Sequence, residues 1–103
     1  MLHHLVLFTW ADGTTDEQVE ALRTALAALP AAIPEIASYY FGADVALANG
    51  NADFGLVASF DDVSSYIAYR DNAEHQEVIT RFVRPIVAQR TVIQFEADQM
   101  AGD

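Results

Sequence analysis

The chain has 103 residues, 52% of them apolar, and carries fifteen Asp and Glu against five Arg, with neither Lys nor Cys. This length predicts one domain that buries about two-thirds of its unfolded surface, so a second copy of the chain is the readiest cover for the apolar surplus. The net charge of −10 argues against nucleic acid and anionic membrane surfaces, which would repel it, and suits small neutral or aromatic ligands; the lack of cysteine removes disulfides, thiolate metal sites and Cys nucleophiles.

Residues 3–10 alternate as a strand, with His3, Leu5, Leu7 and Thr9 on one face and His4, Val6, Phe8 and Trp10 on the other. Both faces are largely apolar, which predicts cover on both sides. Ala11-Asp12-Gly13 is a turn signal. Thr14 and Glu17 have capping-box spacing, and Val19, Leu22, Leu26 and Leu29 recur with the period of a helix that Pro30 and Pro34 should end. Ile36–Gly42 reads as a second strand, 43–52 as a loop, and Asp53–Phe60 as a third strand with Phe54, Leu56, Ala58 and Phe60 on one face.

Asp61-Asp62 supplies an N-cap for a helix over Val63–Arg70 that carries Tyr66 and Tyr69. Asn72 caps a further helix with His75 three residues on, whose stripe is Val78, Ile79, Phe82 and Val83. Arg90–Glu96 alternates as the last strand. Residues 1–97 form the expected single domain and 98–103 a loose, flexible tail. No apolar run approaches the roughly 18 residues of a membrane span, and Met1-Leu2-His3-His4 lacks the pattern of a signal peptide, so a cytoplasmic location is expected.

The order β-α-β-β-α-β predicts an α+β, ferredoxin-like sandwich with helices on one face of an antiparallel sheet. The other face would be an exposed apolar patch. Packing two such sheets together removes it, which predicts a homodimer built as a dimeric α+β barrel.

Several stretches carry a family resemblance: His4-Leu5-Val6-Leu7-Phe8, the Phe41-Gly42-x-Asp44 run, Asp53-Phe54-Gly55-Leu56-Val57 into Phe60-Asp61-Asp62, Tyr66-x-x-Tyr69 with His75, and Pro85-Ile86-Val87. In this order the set resembles the stress-responsive α/β-barrel domain (Dabb) family over nearly the whole chain. The resemblance implies a ferredoxin-like protomer and a dimeric barrel. It also implies a possible polyketide cyclase-like activity that closes an aromatic ring with no cofactor, in a pocket between sheet and helices. The residues matching that pocket's two histidines and tyrosine are His4, His75 and Tyr69. Two departures stand out. Asn72-Ala73-Glu74-His75 replaces the His-Pro-x-His of many members, and Thr9-Trp10-Ala11 has no base where strand one often carries a lysine.

His75 could act as a base on a ligand hydroxyl or on a carbon beside a carbonyl. A helix N-terminus favours its neutral form, with Glu74 and Glu77 opposing. The alternative is a histidine that bonds a backbone carbonyl and locks the helix break. His4 needs a polar partner, for which His75 and Tyr69 are candidates; a satisfied core histidine is the alternative. Tyr69 could polarise a carbonyl through its hydroxyl or simply pack. Tyr66, Phe8, Phe54 and Phe82 are the expected ligand-binding residues. Asp44 and Asp53 lack the compact run of oxygens that a calcium loop needs, and no metal is expected.

Two functions follow: a small-molecule binder or cofactor-free cyclase, isomerase or lyase, and a non-catalytic, stress-associated homodimeric structural protein. A monooxygenase of related barrel type is a weaker third. An open pocket at His75 favours the first; filling by Phe8, Phe54, Phe82 and Phe95 favours the second.

Overall fold

Alternation along β1 (Leu2–Trp10) sets the architecture in a computed structural model that describes residues 1–98. This strand is central. It pairs antiparallel with β3 (Phe54–Phe60) on one side and β4 (Val87–Glu96) on the other, and β2 (Ser38–Ala43) lies outside β3 in the order β2-β3-β1-β4. Leu2, His4, Val6 and Phe8 are buried beneath the helices together with Phe54, Leu56, Ala58 and Phe60. The fold is the expected α+β ferredoxin-like one. Residues 99–103 of the expected tail lie outside the described residues.

Helix α1 (Asp16–Ala32) departs from expectation at both ends. Its N-cap is Thr15, not Thr14. The Gln18 N–H donates to Thr15 Oγ1 at 3.2 Å, and the Thr15 N–H donates to Gln18 Oε1 at 2.9 Å. An amide oxygen serves the capping box as well as a carboxylate does, so the Gln18 register wins, and Thr14 donates its hydroxyl to the Ala11 carbonyl at 2.7 Å. Pro30 does not end the helix. It sits in the last turn, where a missing N–H breaks a single bond, and the Ile33 N–H still reaches the Leu29 carbonyl at 2.9 Å. Leu22, Leu26 and Leu29 bury the helix face against the sheet.

The second crossover comprises α2 (Val63–Asp71), α3 (Ala73–Val78) and a π-helical turn over Ile79–Val83. Asp62 accepts from the Ser65 N–H at 2.8 Å and starts α2. The Arg84 N–H reaches back five residues to the Ile79 carbonyl at 2.9 Å, which defines the wide turn. Strand β4 then starts at Val87, three residues before Arg90, because a bulge between Thr9 and Trp10 keeps Trp10 opposite Val87. At that bulge the Trp10 N–H donates to Asp53 Oδ2 at 2.8 Å. Asp44 accepts from the Ala46 N–H and the Asn51 side-chain amide, each at 3.0 Å. Both acids therefore tie down loop backbone.

The helix-free face of the sheet carries Leu7, Tyr40, Val57, Ile93 and Phe95, all exposed, with Tyr40 at 71% and Ile93 at 55%. Among the described residues no helix is long and apolar enough to cross a membrane.

Candidate functional site

A cavity of about 340 Å³ opens between the sheet and the helices. His4, Val6 and Phe8 from β1 and Leu56 from β3 form its floor. Leu26 of α1, Tyr66 and Tyr69 of α2, and His75 and Val78 of α3 form the facing wall. The π-helical turn adds Ile79 and Val83, and Arg70, Gln76, Arg84, Val87 and Arg90 are also in the lining.

The break between α2 and α3 holds His75 in place. Asn72 Oδ1 accepts from the N–H groups of Glu74 at 2.8 Å and His75 at 3.3 Å, so the asparagine caps α3. His75 Nδ1 lies 3.2 Å from the Arg70 carbonyl. A carbonyl can only accept, so Nδ1 carries the proton and Nε2 is the free basic nitrogen. Gln76 Nε2 donates to the same carbonyl at 2.6 Å. Burial lowers the basicity of His75; the carbonyls of Arg70 and Tyr69 act in the opposite direction, and the Arg90 charge lowers it further. The helix-locking contact and a free Nε2 thus occur in the same side chain.

His4 is 4% exposed, and its Nδ1 lies 2.8 Å from the side-chain amide nitrogen of Gln94 on β4. With that N–H as donor, Nδ1 is the acceptor and the ring proton sits on Nε2. Burial, then the charge of Arg90 and then His75, push its pKa down to about 4. The partner of His4 is therefore Gln94, a residue that strand alternation alone does not single out; neither His75 nor Tyr69 takes that place. Gln94 Nε2 also lies 3.4 Å from the Tyr66 hydroxyl.

Tyr69 is 2% exposed, and its ring packs 4.0 Å, centroid to centroid, from the His75 imidazole. Its hydroxyl bonds the Tyr39 hydroxyl at 2.8 Å. Burial pushes the Tyr39 phenol up to about 12, only partly offset by the bond from Tyr69. Burial, with Tyr39 next in weight, raises Tyr69 well above the ordinary tyrosine value. Both therefore remain neutral phenols, and Tyr69 supports His75 with its ring.

The structure brings His4, His75, Tyr69, Tyr66 and Phe8 together around the cavity. It leaves Phe54 and Phe82 out of the lining. Phe54 is on the right face of β3 but packs against Phe8, Trp10 and Phe41 deeper in the core, and Phe82 lies under the Arg81 guanidinium, 5.4 Å from ring centroid to Cζ. Phe82 is half-buried against the core, as its helical stripe requires, but it packs outside the lining of the cavity. Arg84, Arg90 and Gln94 belong to no motif that marks them as site residues. A cue existed for the arginines alone, in the scarcity of cations in so acidic a chain.

The family profile described as the stress responsive A/B barrel domain (Dabb) matches residues 2–97. Among solved structures, the chain is similar to a dimeric ferredoxin-like protein of unknown function from Thermobifida fusca YX, with 44% identity over 93% of this chain and 90% of that one and a TM-score of 0.87. It is also similar in fold to an Arabidopsis thaliana protein, with 21% identity, coverage of 98% and 99%, and a TM-score of 0.83. A hydroxynitrile lyase from Passiflora edulis shares the fold at 14% identity, coverage of 96% and 94%, and a TM-score of 0.83. No match was found among curated proteins. A profile match over nearly the whole chain, on a sheet and helix order of the same kind, places this protein in the stress responsive A/B barrel domain (Dabb) family.

Proposed function

We propose that the cavity binds a small organic molecule and that His75 acts on it through Nε2 as a general base, without a cofactor. The observation that carries this reading is a neutral imidazole on the wall of a cavity of about 340 Å³, its Nδ1–H spent on the Arg70 carbonyl so that the basic nitrogen is the other one. A base so fixed suits removal of a proton from a hydroxyl or from a carbon beside a carbonyl, the step that cyclases, isomerases and some lyases share. His4 can donate from Nε2 to the carbonyl oxygen on which charge then develops. The Tyr66 hydroxyl, half-buried on the cavity wall, is a second donor, whereas that of Tyr69 is engaged by Tyr39. The cavity also weighs against a purely structural role, since Phe54 and Phe82 are not in its lining and Phe95 lies on the exposed side of the sheet.

The working unit in this reading is a homodimer of one-domain protomers, residues 1–97, joined through the helix-free sheet face. The exposed apolar residues of that face support it, as does the dimeric description of the Thermobifida fusca relative.

The experiment is a small-molecule fragment screen by NMR on protein with labelled histidines, with native mass spectrometry to count protomers. Fragments are expected to shift the His75 ring signals of a dimer. His75→Ala should keep the dimer and lose the binding. Hits that bind His75→Ala as tightly as the unaltered protein would show that the site is elsewhere.

A further inference from the structure

The chain is so acidic that an anionic ligand is the last one its net charge suggests, yet its arginines are placed to receive one. Of the five arginines, Arg70, Arg84 and Arg90 line the cavity. Three have carboxylate neighbours: Arg23 lies 3.6 Å from Glu20, Arg70 2.9 Å from Asp71, and Arg81 3.9 Å from Glu77. Among the described residues Arg84 and Arg90 have no carboxylate within 4.0 Å, although fifteen acidic residues are present. An exposed guanidinium needs no partner by itself. The informative point is that the two unmatched ones come from different elements, Arg84 directly after the π-helical turn and Arg90 opposite Phe8 on β4, and converge on one cavity.

Resting on the reading of the cavity given above, we infer that the ligand is an amphipathic carboxylate, its apolar body against Val6, Phe8, Leu26 and Leu56 and its carboxylate between Arg84 and Arg90. Val6, Phe8, Leu26 and Leu56 offer such a molecule apolar contact, and planar guanidinium groups match a carboxylate in shape and charge. Phosphate fits less well. Phosphate sites typically use free N–H groups at a helix N-terminus, and those of Glu74 and His75 are already taken by Asn72 Oδ1. The charge of Arg90 reaches into the site, since it weakens the basicity of both His4 and His75.

The test is titration of the full chain at pH 7 with benzoate, its neutral analogue benzamide and inorganic phosphate, followed by calorimetry and by the His75 ring signals. Benzoate should bind about tenfold or more tightly than benzamide, as expected for charge-assisted hydrogen bonds. Arg84→Gln/Arg90→Gln should erase that preference, and Arg81→Gln, outside the cavity, should retain it. Benzamide binding as tightly as benzoate, with His75 shifted by both, would refute the carboxylate and leave the His75 site standing. A preference that survives in the double variant, or phosphate that competes as well as benzoate, would equally refute it. If neither aromatic probe moves the His75 signals, the cavity reading and this inference fall together.

Discussion

Replacing Tyr39 and Tyr69 by phenylalanine, singly and together, tests how the wall behind His75 is held. The two hydroxyls are 2.8 Å apart and bond each other. Tyr39→Phe leaves the Tyr69 hydroxyl, on a side chain 2% exposed, without its partner, at a cost of about 1–3 kcal/mol for a stranded buried polar group. Tyr69→Phe strands the Tyr39 hydroxyl on a half-buried ring, so its cost should lie near the lower end of that range. The double variant removes both polar groups and should lose only the net value of the bond, about 0.5–1.5 kcal/mol. The expectation is thus a double variant no less stable than Tyr39→Phe alone, with a coupling energy of about 1–2 kcal/mol. In a domain of this size each kcal/mol corresponds to about 4–8 °C in Tm. Urea unfolding followed by circular dichroism measures it, at one fixed protomer concentration because assembly as proposed would contribute to apparent stability. Losses that simply add would refute the pairing. Tyr69→Phe should also keep its ring against His75 and hence bind fragments as before. Loss of binding with stability unchanged would instead give the Tyr69 hydroxyl a direct role on the ligand.

The pKa of His4, pushed down to about 4 from an ordinary 6.5, and the lowered pKa of His75 make the unfolded chain bind more protons than the folded one between those values. The His4 contribution to stability is full above about pH 6.5 and is lost as the pH falls through about 4, at most about 3 kcal/mol, and His75 acts in the same direction. The urea midpoint should follow that course and flatten in His4→Asn; the lowered carboxyls of Asp62, Asp71 and Asp98 act only near and below 3.8 and do not share the window. Asn72→Ala should cost about 1 kcal/mol by uncapping α3 and broaden the His75 signals, whereas Asn72→Asp should keep the cap; thermal melts and NMR check both. Ile93→Asp on the open sheet face should give a monomer in analytical ultracentrifugation, and a persistent dimer would move the interface elsewhere.

Strand alternation and helix periodicity made the fold legible, because burial in a two-layer domain acts on every second or every third and fourth residue alike. Alternation puts His4 and Phe8 on one face of β1, apart from His3 and Leu7, and the structure turns that face to the helices. The Asn72 cap was equally visible, since a capping asparagine acts on N–H groups two and three residues away. The remainder depended on contacts distant in sequence. Gln94 meets His4 across 90 residues, and no local pattern foretells it. Tyr39 takes the hydroxyl of Tyr69 for the same reason. Phe82 faces the core as its stripe predicts, but helical period does not say which core residues border a cavity. Arg84 and Arg90 were hidden by the net charge, which averages over the surface and says nothing about where the few cations gather.

Strand β4 serves two surfaces at once. Arg90 and Gln94 lie on its helix side, while Ile93 and Phe95 lie on the opposite side. Anything that clamps Ile93 and Phe95 also fixes the backbone from which Gln94 orients His4. Occupancy of the cavity and assembly of the sheet faces would then be thermodynamically linked, each strengthening the other by the same factor. Dilution through the dimer dissociation range would loosen ligand binding, and saturating ligand would move that range to lower protein concentration.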